Sequence, residues 1–477
     1  VLAVGAWGCR APEGDPSHDI EALQDPATCE SCHPEHWREW QGSMHAYAGD
    51  DPVFLAMNAQ AQRETNGAIG DFCIRCHAPT AVALGLTHDG LNLSELPAKH
   101  RGVGCYACHQ IEAVEGTHNN PLVLAFDSVM RGSIGDALEP SVHGVARSSF
   151  VDGGSFDSAA ACGSCHDIVT PAGVHIERTY AQWQGSFYSD PDPDDLSRPA
   201  FYALSCIDCH MDRETGAIAD YPGVRGDRDR HSHGFVGVDV ALTEFPNPSL
   251  AAAMREEQLE GIAEARKTAL CASLCVDEGE AGEALITVWL HNEAAGHAWP
   301  SGATPDRRAW VELLAYDGAD TSVFESGVVA EGSPVSELDD PNLWLFRDRL
   351  FDAQGEETHK FWEAASYESE LLPASAQFGG AGDDLSWLSR SYLVDAEALA
   401  GASLPERVHM RVLLRPIGLE ILTELVASGD LDPAVVDATS TFDVPPAELE
   451  WTAGDATPSE DYGSCVSSSL GCGSPFI

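Results

Sequence analysis

Cys105-Tyr106-Ala107-Cys108-His109 decides how this chain is built, because four more stretches of the same form accompany it. They are Cys29-Glu30-Ser31-Cys32-His33, Cys73-Ile74-Arg75-Cys76-His77, Cys162-Gly163-Ser164-Cys165-His166 and Cys206-Ile207-Asp208-Cys209-His210. Each is a complete C-x-x-C-H, the attachment signature of a c-type haem. Two thiols three residues apart bond to the two vinyl groups along one porphyrin edge, and the next residue turns its imidazole onto the iron. Zinc knuckles and redox dithiols use the same residue types, but a zinc site needs two such motifs and five leave one unpaired. The expectation is five haem c groups. Cys29, Cys32, Cys73, Cys76, Cys105, Cys108, Cys162, Cys165, Cys206 and Cys209 carry the thioethers, and His33, His77, His109, His166 and His210 are the proximal ligands.

Working outward, the motifs crowd one part of the chain. From Thr28 to about Asp239 there is little room for an ordinary core, so the porphyrins themselves supply the apolar filling. Short helices are expected after Cys29 (EHWREWQGSMHAYA) and around residues 52–64, with little regular structure over the Gly-, Ser- and Pro-rich stretch 110–160. PSLAAAMREEQLEGIAEARKTAL, residues 248–270, lacks internal Pro and mixes charges at helical spacing, so it reads as a connecting helix. Beyond Cys275 the texture changes. ALITVWLHN, RRAWVELLAYD, SVFESGVVAEG, SYLVD and RVHMRVLLRP alternate in strand fashion between turn residues, with one helix expected at 417–428. The fold class that follows is multidomain: an N-terminal multihaem c-type domain of short helices and long loops (28–245), a linker helix (246–275), and a C-terminal β-sandwich-like domain (276–451). A Cys-containing tail, 452–477, completes it.

Composition sets the surroundings. The net charge is −50, from 76 acids against 26 bases. Such a field repels nucleic acid and anionic lipid and favours redox partners with basic docking surfaces, although a solvated surface fitted to high salt has the same composition. Of 15 Cys, those outside the motifs are Cys9, Cys271, Cys275, Cys465 and Cys472. Four of them can form two disulfides with three connectivities that sequence does not separate. Haem attachment and persistent disulfides both belong outside the bacterial cytoplasm, so the expected location is periplasmic or cell-surface. VLAVGAWGC, residues 1–9, reads as the end of a signal segment. It resembles a lipoprotein cleavage site with Cys9 as the lipid-modified residue, although Trp7 stands where a small residue is usual, and a plain secretory signal is the other reading. Residues 10–27 then form a polar tether. Lipid on Cys9 would give outer-membrane anchoring with a soluble body.

What fills the sixth position of each iron decides the function. A second imidazole makes a low-spin haem suited to moving electrons, whereas an open position admits a substrate. His45, His143, His118, His233 and His297 are the candidates, with His175 in reserve and His231 competing with His233. His45 ends Trp37-Arg-Glu-Trp-Gln-Gly-Ser-Met-His45, and His143 sits in a similar Ser141-Val142-His143 setting. The W-Q-G-S core recurs in Tyr180-Ala-Gln-Trp-Gln-Gly-Ser-Phe-Tyr188, where Tyr188 replaces the His.

ATCESCHPEHWREWQGSMHAYAGDDPVF, residues 27–54, resembles the cytochrome c-554-like multihaem family, in which C-x-x-C-H is followed by a Trp and then S-x-H. CIRCHAP, GVGCYACHQI, CGSCHD, ERTYAQWQGS and SCIDCHM extend the likeness to about residue 240. Ala295-Gly296-His297-Ala298-Trp299-Pro300-Ser301-Gly302 resembles the A-G-H-x-x-P-[TS]-G loop in the C-terminal domain of secreted multihaem cytochromes. The resemblance implies a periplasmic or surface electron carrier with mostly bis-His haems, and His45 and His143 as distal ligands. Tyr188 departs from the pattern at one haem of the second half. Electron transfer between a periplasmic or membrane donor and an outer acceptor is the leading expectation. The β domain would serve docking or self-assembly. The alternative is a multihaem oxidoreductase acting on a small nitrogen or sulfur oxyanion at one open haem, with Tyr188 and Arg225, Arg228, Arg230 and His231 near the anion.

Overall fold

A C-x-x-C-H folded as one helical turn places its first residue, fourth residue and fifth residue on the same face. The computed structural model, which describes residues 19–138, 141–189, 203–243, 251–374 and 387–468, folds the motifs in this way. The amide of His33 bonds to the Cys29 carbonyl at 2.8 Å, and that of His166 to Cys162 at 3.1 Å. Ile74–His77, Cys105–His109 and Cys206–His210 are single helical turns. Longer helices fill the gaps. α1 (Pro34–Gln41) starts directly after the first motif with Pro at its first position, where a missing N–H costs nothing. α2 (Pro52–Glu64) is capped by Asp51, whose carboxylate accepts from Val53 N.

The chain divides into two compact units, residues 1–171 with 201–262, and residues 172–200 with 263–477. All five motifs lie in the first. The second unit takes in residues 172–200, which were expected inside the haem region. The reason is local packing of the second W-Q-G-S copy. In α3 (Thr179–Gly185) Tyr180 and Trp183 are buried, and the Gln182 side chain accepts from Ala298 N at 3.2 Å. Gly296 turns the loop at φ +70 and lies against the Tyr188 ring, which a Cβ there would touch at an ordinary 3.4 Å.

The linker helix is α4 (Ala251–Ala269), and it gives way at once to β1 (Leu270–Glu278). The strand region therefore begins earlier than residue 276, and Cys271 and Cys275 sit in a strand. The two larger sheets of this region are completed by β2 (Ala284–Asn292), β3 (Arg308–Tyr316), β4 (Ser322–Ser326), β5 (Trp344–Phe346), β6 (Trp387–Val394), β7 (Arg407–Arg415), β8 (Phe442–Thr452), β9 (Thr457–Pro458) and β10 (Ser464–Ser467). They form two open antiparallel sheets, ordered β6-β2-β1-β10-β9 and β4-β3-β7-β8, with β5 also on β3. β1 packs against β8, and its first seven residues are all buried, as suits a strand with both neighbours and a covering sheet. Cys275 pairs with Cys465 across β1 and β10 in a disulfide, so part of the expected tail is a sheet strand. Cys271 is disulfide-bonded as well. The expected helix at 417–428 is α5 (Leu419–Ser428), closed by Gly429 at φ +82. No helix among the described residues is long and apolar enough to cross a membrane.

One buried charge cluster in the second unit makes a stability prediction. Arg308, buried at the start of β3, ion-pairs with Glu420 of α5 at 2.6 Å and donates to Ser336 Oγ at 2.7 Å. Beside it, buried Asp306 has one carboxylate oxygen, Oδ1, without a hydrogen bond. Burial pushes Asp306 up from 3.8 to about 7, against the opposing pull of Arg308 and Arg307. A folded-state pKa above the unfolded one means the native state holds a proton that the unfolded chain has released. The stabilising contribution is complete below the unfolded pKa and is lost as pH rises through about 7. Asp306→Asn is expected to raise unfolding stability near neutral to mildly alkaline pH by roughly 1–3 kcal/mol and to flatten the slope between acid and neutral pH. Urea denaturation across pH checks it; an unchanged slope in the variant contradicts the assignment.

Candidate haem-binding sites

A proximal histidine must offer an imidazole nitrogen with a lone pair. The ring hydrogen bond at Nδ1 decides this, because a backbone carbonyl only accepts; Nδ1 bonded to one carries the hydrogen and Nε2 is left for a metal. His33 Nδ1 lies 2.7 Å from Ile218 O, His77 Nδ1 3.1 Å from Ala48 O and His210 Nδ1 2.7 Å from Val236 O. His109 Nδ1 is held by Arg131 O. Four proximal rings are thus fixed in tautomer and orientation by backbone far away in sequence. The His77 ring is further stacked on Phe54, with centroids 4.0 Å apart and planes at 3°.

The structure brings three of the expected distal histidines opposite proximal ones. His143 faces His33 with ring centroids 6.4 Å apart. His233 faces His109 at 6.4 Å with planes 14° apart. His45 faces His166 at 6.1 Å with planes 72° apart. A metal–imidazole bond is about 2 Å long, so two imidazoles on opposite sides of one iron have ring centres roughly 6 Å apart. The residues therefore fit bis-imidazole haem. His143 and His233 hold their own Nδ1 against nearby carbonyls, Gly144 O at 2.9 Å and His231 O at 3.0 Å. Desolvation pushes His45 down to about 3, with His166, His77 and His210 adding to the effect. Both features favour the neutral imidazole a ligand must be.

His118 stands exposed in a turn whose neighbours hang on two motifs. Asn119 N bonds to Asp167 O and Asn120 N to Ser164 O at the fourth motif, and Asn120 Nδ2 reaches Arg75 O in the second. His297 lies in the second unit with its Nδ1 2.9 Å from Ala298 O, the tether that His143 also carries. His231 Nδ1 is bonded to Met211 O at 2.9 Å. The two W-Q-G-S copies build the same turn: Ser43 Oγ donates to Trp40 O at 2.7 Å and Ser186 Oγ to Trp183 O at 2.8 Å. The first then opens a short helix, Met44–Tyr47, carrying His45. The second stacks Phe187 on Tyr188 at 4.0 Å and directs the Tyr188 hydroxyl at Glu293 O at 3.4 Å. Tyr188 packs within the second unit.

Arg225, Arg228 and Arg230, weighed above as anion-holding groups, are matched by acids. Arg225 pairs with Asp227 at 2.9 Å, Arg228 with Asp136 at 2.8 Å, and Arg230 with Glu39 and Glu214. A cluster already neutralised is a poor anion trap. Residues that the sequence reading missed include His36, whose ring sits 4.7 Å from His233, and Phe235, which stands between His45 and His233. No local pattern marks either of them.

The motif thiols also report how the sites adjoin. Cys29 hydrogen-bonds with Cys105 and Cys162 with Cys206, and Cys108 lies near Cys162 and Cys165. The first and third motifs therefore lie side by side, as do the fourth and fifth, and the third and fourth meet between them.

The turn that carries His45 depends on one glycine. Gly102 sits at φ +136, and a Cβ there would come 2.7 Å from Ala46 O and 3.0 Å from His45 O. Val103 N, next along, bonds to His45 O at 2.9 Å. Gly102→Ala is expected to displace His45 without changing any candidate ligand, at a stability cost of about 1–3 kcal/mol. A high-spin band should appear in the optical spectrum of the oxidised protein, and an unaltered low-spin spectrum contradicts this reading.

Comparison with known proteins bears on the family and the fold. Residues 28–110 match the family Cytochrome c554 and c-prime. The crystal structure of a penta-heme cytochrome c552 from Thermochromatium tepidum superposes with a TM-score of 0.59 at 19% identity, covering 91% of this chain and 100% of that one. At that identity the likeness speaks to the fold. A search of curated proteins finds no match.

Proposed function

We propose that this chain, which matches the family Cytochrome c554 and c-prime over residues 28–110 and shares the fold of a penta-heme cytochrome, is a multihaem cytochrome c that carries five haem c groups and conducts electrons through them without transforming a substrate. The single observation that supports this best is the set of three facing imidazole pairs, His33 with His143, His109 with His233 and His166 with His45, at 6.1 to 6.4 Å. An iron closed on both faces by imidazole changes oxidation state with little rearrangement and leaves no position for a substrate. In this reading His118 serves the haem of the second motif, whose backbone anchors its turn. The proposed route runs first–third–fourth–fifth, following the neighbouring motif thiols, with the second site beside the fourth.

Donor and acceptor are then protein surfaces. A chain of net charge −50 steers basic partners and repels its own kind. We place it in the periplasm or at the cell surface, anchored by lipid on Cys9, a residue outside the described ones. Intact-protein mass spectrometry of material from the native membrane tests both statements at once. Five haem increments plus an acylated Cys9 are expected. Fewer haems, or a mature N-terminus without Cys9, would overturn the corresponding part.

A further inference from the structure

We propose that His233-Gly234-Phe235-Val236 is a junction that sets ligand geometry at three haem sites together, with Phe235 as its positioning residue. The proposal rests on the bis-imidazole reading above. His233 faces His109 of the third motif. The Phe235 ring stands edge-on to His45, the partner of His166 in the fourth motif, with centroids 4.4 Å apart and planes at 86°. It is also edge-on to His233, at 5.7 Å and 80°. Val236 contributes the carbonyl that holds Nδ1 of His210, in the fifth motif. Four consecutive residues thus touch the third, fourth and fifth sites.

The backbone is bent to make this happen. In an extended strand, residues 233 and 235 would share a face and 236 would oppose them. Phe235 instead adopts φ +49, a left-handed conformation that is an outlier for a bulky side chain and persists only where the surroundings impose it. Those surroundings are visible. His233 N donates to Glu39 Oε2 at 2.9 Å and Gly234 N to Ser232 Oγ at 3.2 Å. From behind, α4 presses Gly261 so close that an added Cβ would lie 2.9 Å from Val236 Cγ2. The linker helix therefore backs the carbonyl that orients His210. A ring edge set against an imidazole limits rotation of that imidazole, and the groups that orient a metal's ligands tune the metal.

The test uses the complete, haem-loaded protein and electron paramagnetic resonance of its oxidised form, with signals assigned from single ligand variants. Phe235→Ala is expected to shift the low-spin signals of the haems on His109 and His166 together and to leave that on His33 in place. Phe235→Tyr, which keeps the ring edge, should restore the original pair. Gly261→Ala, which alters no residue near the irons, should shift the signal of the haem on His210. No shift in Phe235→Ala, or equal shifts at every haem, overturns the junction. If Phe235→Ala fails to accumulate, the Phe235→Tyr and Gly261→Ala spectra still decide, because an unmoved His210 haem in Gly261→Ala also counts against it. Wild-type protein lacking low-spin haem altogether would instead remove the underlying electron-carrier reading.

Discussion

Replacing His45 by alanine is expected to turn the haem on His166 from low-spin to high-spin and leave the other haems as they were. The His45 ring faces His166 at 6.1 Å and is held edge-on by Phe235 at 4.4 Å, in a site whose desolvation pushes its pKa down to about 3. Water is a weaker donor than imidazole, so the ferric form loses stabilisation. The potential of that haem should rise by something on the order of 100 mV, a modest part of the roughly 0.8 V that axial ligands span. In the proposed route the fourth site lies between the third and the fifth, so transfer between the two ends should slow. Magnetic circular dichroism and redox titration report the change, and added imidazole should reverse it. A variant that keeps every haem low-spin would show that His45 is no ligand.

The second large effect concerns the β domain. The Cys275–Cys465 disulfide closes a loop of 190 residues, and chain entropy for a loop of that length amounts to about 5 kcal/mol, with measured losses more often about 2–4. Cys275→Ser is therefore expected to remove several kcal/mol from the unfolding stability of the second unit, read as a lower urea midpoint with little change in slope. The pair sits in register between β1 and β10, and Trp451 Nε1 of the facing β8 donates to Ser464 O at 2.9 Å. Its loss should thus loosen a sheet edge that already has other support. An unmoved midpoint would mean that the sheet alone holds β10.

How much of this could be read from sequence depends on how local each signal is. The C-x-x-C-H motifs are complete within one helical turn, and the switch from helical to strand texture near α4 is carried by neighbouring residues. The S-x-H settings of His45 and His143 are local too. The carbonyls that orient His33 and His210 come from Ile218 and Val236, and nothing near the motifs announces them. The repeated W-Q-G-S led the second copy to be placed in the haem region; both copies do fold alike. What differs is the company: Tyr188 and Gln182 find the loop at 296–298, more than a hundred residues on. The early start of β1 was hidden because good helix formers run without a break into Leu270-Cys-Ala-Ser-Leu-Cys275, an apolar run that periodicity alone does not assign. Phe235 and Gly261 matter through conformation and close approach, which composition does not encode.

The central claim is that the irons are closed to substrate and exist to pass electrons. Low-temperature electron paramagnetic resonance with near-infrared magnetic circular dichroism on the oxidised protein tests it most directly. The account predicts low-spin, bis-imidazole signatures for all the haems, unchanged when nitrite, hydroxylamine or sulfite is added. A high-spin haem that shifts with one of these would contradict it and make the protein an oxidoreductase.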